Sequence, residues 1–213
     1  MQIAKTYFSH YVKPLVFGLA LLPALYLAWA VWANALGANP IEAITRDLGD
    51  WTLRFLLITL SISTLRRLLH WAQLLKLRRM LGLFAFFYAS LHVLSYIGLD
   101  QFFDWAEIGL DILERPFITA GVFAFLCMIP LALTSTKAAM RRLGRHWQRL
   151  HYLIYPLTGL ALLHFWWLAD SKARNTEPLI YSLVFALLLA ERSWVWITRA
   201  KSASKSKVSL TRT

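Results

Sequence analysis

The chain has 213 residues, 58% hydrophobic and 16% charged, where an average soluble domain has roughly 45–50% and about 25%. Its net charge of +12 is not the footprint of a nucleic-acid-binding surface, because the basic residues sit in short clusters between apolar runs, where membrane proteins keep them. The one cysteine, Cys127, lies inside an apolar run and excludes an intrachain disulfide.

In chain order, six stretches are apolar and long enough to cross a hydrocarbon core: 15–33, 51–69, 80–98, 117–133, 150–169 and 179–197. They predict an all-α fold, a polytopic membrane bundle of about six transmembrane helices. The first run is longer than the roughly 7–15 residues of a signal-peptide core and ends in Trp29 and Trp32, so a retained helix is expected. Pro23, Pro130 and Pro156 fall inside spans, which membrane helices tolerate when neighbours satisfy the freed backbone groups. Trp29, Trp51, Trp147, Trp166 and Trp167 read as interfacial markers. Ser61, Ser63, Thr64, Ser90 and Ser95 read as helix-packing residues. The connections leave no room for a soluble domain. The expected division is a cytoplasmic segment 1–14, a membrane domain 15–198, and a basic cytoplasmic tail 199–213 whose Ser and Lys content predicts mobility.

Charge orients the bundle. The connection after the second span carries Arg66, Arg67, Lys76, Arg78 and Arg79, and the one after the fourth carries Lys137, Arg141, Arg142, Arg145 and Arg149, both without an acid. Between spans three and four lie Asp100, Asp104, Glu107, Asp111 and Glu114 against one Arg115. The positive-inside rule then puts both termini and both basic connections in the cytoplasm. The acidic connection faces outward as a candidate docking site for an outer partner.

An ionisable side chain inside a membrane span is a functional hypothesis by default. Of six histidines, His10, His70 and His146 lie at span ends or in connections, while His92 and His164 lie inside spans three and five. Those two spans run in the same direction. His92 follows Arg79 by 13 residues and His164 follows Leu150 by 14, so both lie ~20 Å from the cytoplasmic edge at ~1.5 Å per residue. Two imidazoles meeting at one height are what bis-histidine haem ligation requires, and neutral imidazole is a good iron ligand. Zinc fits less well, since no cysteine or carboxylate lies nearby to complete a tetrahedron. His151 begins span five at the cytoplasmic boundary. A uniform helix would turn it about 140° from His164, although Pro156 between them can change that phase. It is at the height for a second haem, but its counterpart on span three is Arg78, not a usual haem ligand. The alternatives for His151 are a haem propionate, a phospholipid or a cytoplasmic cofactor. The basic cluster around Arg78 suits propionates, a flavin phosphate or an acidic donor protein, or is simply the topology signal.

The order of these features resembles the ferric-reductase-like transmembrane domain, which offers two histidines on each of two helices for two stacked haems. Here only His92 with His164 forms a complete pair. A closer resemblance, over about residues 15 to 198, is to the MsrQ (YedZ) family. Its carriers are Gly37-Ala38-Asn39-Pro40, Arg78-Arg79-Met80-Leu81-Gly82-Leu83, Leu91-His92-Val93-Leu94-Ser95-Tyr96, Arg115-Pro116-Phe117-Ile118-Thr119, Leu133-Thr134-Ser135-Thr136 and Leu143-Gly144-Arg145-His146-Trp147-Gln148-Arg149-Leu150-His151. The resemblance implies a haem b membrane subunit of a bacterial methionine sulfoxide reductase system, with one haem and room for a second. Electrons would arrive from a cytoplasmic flavin reductase or quinone and leave to a periplasmic molybdopterin-containing reductase subunit that repairs envelope proteins. It implies the bacterial inner membrane, no catalytic site in this chain, and FMN as a further cofactor, although no stretch carries a flavin fingerprint. Rival expectations are a cofactor-free membrane scaffold or assembly factor, and a quinol-oxidising cytochrome b without a dedicated periplasmic enzyme.

Overall fold

The computed structural model describes residues 8–170 and 176–210, except the side chains at 9, 170 and 199–210. Its helices, in chain order, are α1 (Lys13–Trp32), α2 (Pro40–Leu68), α3 (Leu75–Ser95), α4 (Trp105–Glu114), α5 (Pro116–Leu133), α6 (Lys137–Leu143), α7 (Arg145–His151), α8 (Ile154–Asp170) and α9 (Thr176–Leu210). No strand occurs among the described residues, and six helical stretches are long and apolar enough to span a membrane. The chain is a multi-pass membrane protein.

The bundle is built from two helical hairpins, α2 with α3 and α5 with α8, which make its two most extensive packing interfaces. Where they meet one another the contact is far smaller. Phe55, Phe84 and Tyr88 stack inside the first hairpin at ring separations of 5.3–5.7 Å. Phe86 and Phe125 stack at 5.8 Å across the seam between the hairpins. Offset-stacked rings of this kind are how a membrane core gains dispersion without a hydrophobic driving force.

The proline positions have physical consequences. At Pro23 in α1 the ladder opens, and the fully buried Tyr88 fills the gap. Its hydroxyl donates to Ala20 O at 2.8 Å and accepts from Ala24 N at 3.1 Å, re-satisfying both backbone groups. Pro156 is not in a helix interior as expected. The fifth span breaks at Tyr152 and Leu153, and Pro156 occupies the first turn of α8, where its missing N–H leaves no bond unmade. The break separates His151 from His164, so the phase relation of one continuous helix does not apply.

Three expectations about element bounds also change. α2 starts at Pro40 rather than near 51. Asn39 Oδ1 accepts from Glu42 N at 3.3 Å, and Asn39 Nδ2 donates back to Glu42 at 3.1 Å, a reciprocal N-terminal cap. The charges at Glu42, Arg46, Asp47, Asp50 and Arg54 keep these first turns out of an apolar count. α9 runs to Leu210, past the span end expected at 197, with no Gly or Pro after Pro178 to stop it; residues 211–213 lie outside the described residues. The acidic connection is itself helical. Asp104 caps α4 by accepting from Ala106 N and Glu107 N, and Asp111, 3% exposed, accepts from Tyr96 Oη, Gln101 Nε2 and Arg115 Nε at 2.8–3.0 Å. Asp111 is therefore a structural clamp, and Asp100, Glu107 and Glu114 are the acids left facing out.

Candidate functional site

The two mid-span histidines meet across the seam. Their ring centroids are 6.1 Å apart and their planes cross at 79°. The expectation that they share one height on parallel helices holds.

Each ring is seated by the same device. On α3, His92 Nδ1 lies 2.8 Å from Thr45 O of α2. A carbonyl oxygen only accepts, so Nδ1 carries the proton and Nε2 keeps its lone pair. One turn along α2, Gly49 lets the ring lie on the helix surface: a Cβ there would stand 3.1 Å from Cε1 and 3.2 Å from Nδ1. On α8, His164 Nδ1 lies 2.6 Å from Phe117 O of α5, and a Cβ on Gly121, again one turn along, would stand 3.0 Å from Nδ1. Both carbonyls precede their histidine by 47 residues. The sequence alone gave no sign of a repeat, yet the two hairpins hold their imidazoles identically. Ser95 reinforces the first seat, donating to His92 O at 2.8 Å and meeting Thr45 Oγ1 at 3.0 Å.

Beside the first seat, Arg54 on α2 donates to Tyr181 Oη at 2.9 Å, lies 3.8 Å from Asp50 and covers the ring of Trp51 at 4.8 Å. Paired in this way, a charge is tolerable at membrane depth. Trp51 is half-buried beneath that guanidinium. Trp147 donates to Thr134 O and Trp166 to Ser182 Oγ, while Trp29 and Trp167 are exposed.

His151 is seated differently, against backbone groups of its own helix and of Leu131 on α5. Its ring stacks on Trp147 at 3.9 Å, and its Nδ1 faces Trp147 O on its own helix at 3.1 Å. Arg78 is close enough for its charge to act on His151, and donates to Ser63 Oγ at 3.5 Å. Thus His92 and His164 come together as expected, while His151 has Arg78, not a second histidine, as its charged neighbour. Among the described residues, no three His, Cys, Asp or Glu side chains converge as a metal site.

Sequence reasoning missed Thr45, Gly49, Phe117 and Gly121. A signal was present, since Gly49 and Gly121 each lie four residues after the residue whose carbonyl accepts and 43 before the histidine, but a backbone acceptor has no residue type to recognise.

Comparison with known proteins bears on this geometry. The model of the family described as "Ferric reductase like transmembrane component" matches residues 48–162, which include His92, His151, Gly49 and Gly121 and stop two residues short of His164. A relative from Herminiimonas arsenicoxydans is 48% identical, covering 95% of this chain and 94% of its own length. One from Azospira oryzae is 53% identical over 85% and 78%, and one from Xanthomonas oryzae pv. oryzae is 47% identical over 95% of each. All three are named protein-methionine-sulfoxide reductase heme-binding subunit MsrQ.

Proposed function

Because the chain belongs to the MsrQ family and carries a ferric-reductase-like transmembrane component, we propose that it is the haem-binding electron-transfer subunit of a protein-methionine-sulfoxide reductase system. Electrons enter from a cytoplasmic flavin reductase or the quinone pool. They leave to a periplasmic molybdopterin-containing subunit that reduces methionine sulfoxide in envelope proteins. The observation that carries this reading is the meeting of His92 and His164 at 6.1 Å with both Nδ1 atoms engaged by backbone carbonyls.

The residues fit an iron porphyrin. A metal–imidazole bond of about 2 Å puts the ring centre about 3 Å from the metal, so imidazoles on opposite faces of one iron stand about 6 Å apart. His92 and His164 would be the axial ligands of a haem b. Held there, the haem supplies one-electron transfer with no open position at the iron for substrate. The chain does the rest. The Thr45 and Phe117 carbonyls fix the tautomer and hold each ring's proton at Nδ1, as the outer partners of metal-bound histidines do. Aromatic packing around the hairpin cores keeps water away. Support for a second haem at His151 and Arg78 is weaker, because the counterpart of His151 on α3 is an arginine, not a usual haem ligand. FMN rests on the family resemblance.

The basic connections orient the protein in the bacterial inner membrane with both termini in the cytoplasm. The His92–His164 pair then lies in the outer half, beneath α4. Haem and flavin determination on the purified protein tests the assignment. One b-type haem per chain is the minimum expected result; no haem after supplementation, in a folded preparation, favours a scaffold instead.

The exposed acids supply a second test. Exchanging Asp100, Glu107 and Glu114 for their amides leaves the Asp104 cap and the Asp111 clamp intact. Electron delivery to the outer partner is expected to slow at low salt and to lose much of its salt dependence. An unchanged rate and salt profile would remove these acids from docking.

A further inference from the structure

On the basic side of the bundle, α9 presents two adjacent charged residues with opposite fates. Glu191 takes Arg67 and Thr64, an ion pair reinforced by a hydroxyl. Arg192 has neutral partners alone: Nη1 donates to Tyr155 Oη and Nη2 to Leu60 O at 2.6 Å, while the guanidinium lies 5.2 Å over the Tyr155 ring. Its Nε–H is buried and has no acceptor. Arg78 lies near enough for the two cations to act on each other, and its own partner is a serine hydroxyl. Among the described residues neither arginine has a carboxylate within ion-pair distance. Arg192 is half-buried, so its charge is partly withdrawn from water without a counter-charge, and the buried Nε–H without an acceptor adds to that cost.

Arg192 also lines a groove of about 370 Å³ with Tyr155, Leu189, Ser193, Trp196 and Ile197. Trp196 is 73% exposed and Ile197 42%, so the groove opens sideways, where a membrane protein meets lipid. Arg192 lies seven residues, ~10 Å, before Arg199, the first charge beyond the apolar run, within reach of the headgroup level for a side chain of its length.

An uncompensated guanidinium at the head of a lateral apolar groove is complementary to an anionic amphiphile. We propose that Arg192 binds the phosphate of an anionic phospholipid from the leaflet on the basic side, with the acyl chain laid along Leu189, Trp196 and Ile197. Ser193 offers a hydroxyl beside the phosphate, and Arg78 adds attraction from behind. The site is independent of the electron-transfer assignment and stands on the bundle alone.

The test uses the whole protein purified in mild detergent. Retained phosphatidylglycerol and phosphatidylcholine are measured by native mass spectrometry, for wild type, Arg192→Gln and the control Arg79→Gln. Wild type and the control are expected to retain phosphatidylglycerol preferentially. Arg192→Gln should bind it about tenfold more weakly, the effect of one charge-assisted contact. Equal retention by all three proteins overturns the proposal, as does a lack of preference between the two lipids. Displacement of the lipid by millimolar inorganic phosphate would assign the site to a free anion and also overturn it. So would a loss of haem in Arg192→Gln with lipid retention unchanged, which would mean that porphyrin carboxylates use the arginine. Should Arg192→Gln fail to fold, brominated lipids read the groove directly. Brominated phosphatidylglycerol should quench wild-type tryptophan more than brominated phosphatidylcholine, and Trp196→Phe should abolish the difference. Identical quenching by both lipids refutes the site.

Discussion

Alanine at position 92 or position 164 is expected to abolish the sharp reduced-minus-oxidised b-haem bands while leaving the protein in the membrane. The two rings lie 6.1 Å apart across the seam, and among the described residues no cluster of three His, Cys, Asp or Glu side chains offers another metal site. Loss of an outer-shell partner of a metal-bound histidine typically weakens metal binding about 10–100-fold, so loss of the ligand itself should exceed that range. Membrane retention depends on six apolar spans, which neither substitution alters. The measurement is paired: haem content and difference spectrum on one side, amount in the membrane fraction on the other. Wild-type spectra in both variants would dispose of the ligand assignment.

The second large effect comes from adding one methyl group. Gly121→Ala puts a Cβ 3.0 Å from His164 Nδ1, and Gly49→Ala puts one 3.1 Å from His92 Cε1. Helix propensity alone argues for stabilisation, since alanine is favoured over glycine by about 1 kcal/mol in a helix interior. Here the steric term should win, because each ring is fixed by a carbonyl 2.6 or 2.8 Å from its Nδ1 and cannot back away without breaking that bond. Haem retention is expected to fall roughly 10–100-fold in either variant, more in Gly121→Ala, whose contact is closer. The low-spin ferric signal of any residual haem should change as the rings tilt. Alanine variants with wild-type haem content and spectrum would mean that the glycines merely pack helices.

Much of this was legible in the residues. The six spans are apolar runs of the right length, and hydropathy needs no more than that. What it could not register was the N-terminal end of α2, where Glu42, Arg46, Asp47 and Asp50 precede the apolar run although they belong to the same helix. That charged extension carries Thr45 and Gly49, so the seat of His92 lay in the segment an apolar count discards. The histidines themselves stand out because an imidazole in a span is rare. Their supports do not, since Thr45 and Phe117 act through backbone oxygen, which every residue possesses. Pro156 signalled a disturbance in the fifth span, but whether it would kink or break the helix depended on Tyr152 and Leu153, neither of which is a helix breaker by type. The acidic stretch read as one patch, yet Asp111 is used internally. Burial by Tyr96, Gln101 and Arg115 is a tertiary fact that composition cannot encode.

The division into two hairpins bears on how the protein matures. Each hairpin contains one imidazole together with the carbonyl that fixes it, so each can enter the bilayer with half of the site already finished. Only the seam, where packing is sparse, remains to be closed, and a group gripped from both sides acts there as a clasp. Its binding free energy then adds directly to the association of the halves. Insertion and loading become separable events, and the loaded form should be the one in which the halves are hardest to pull apart.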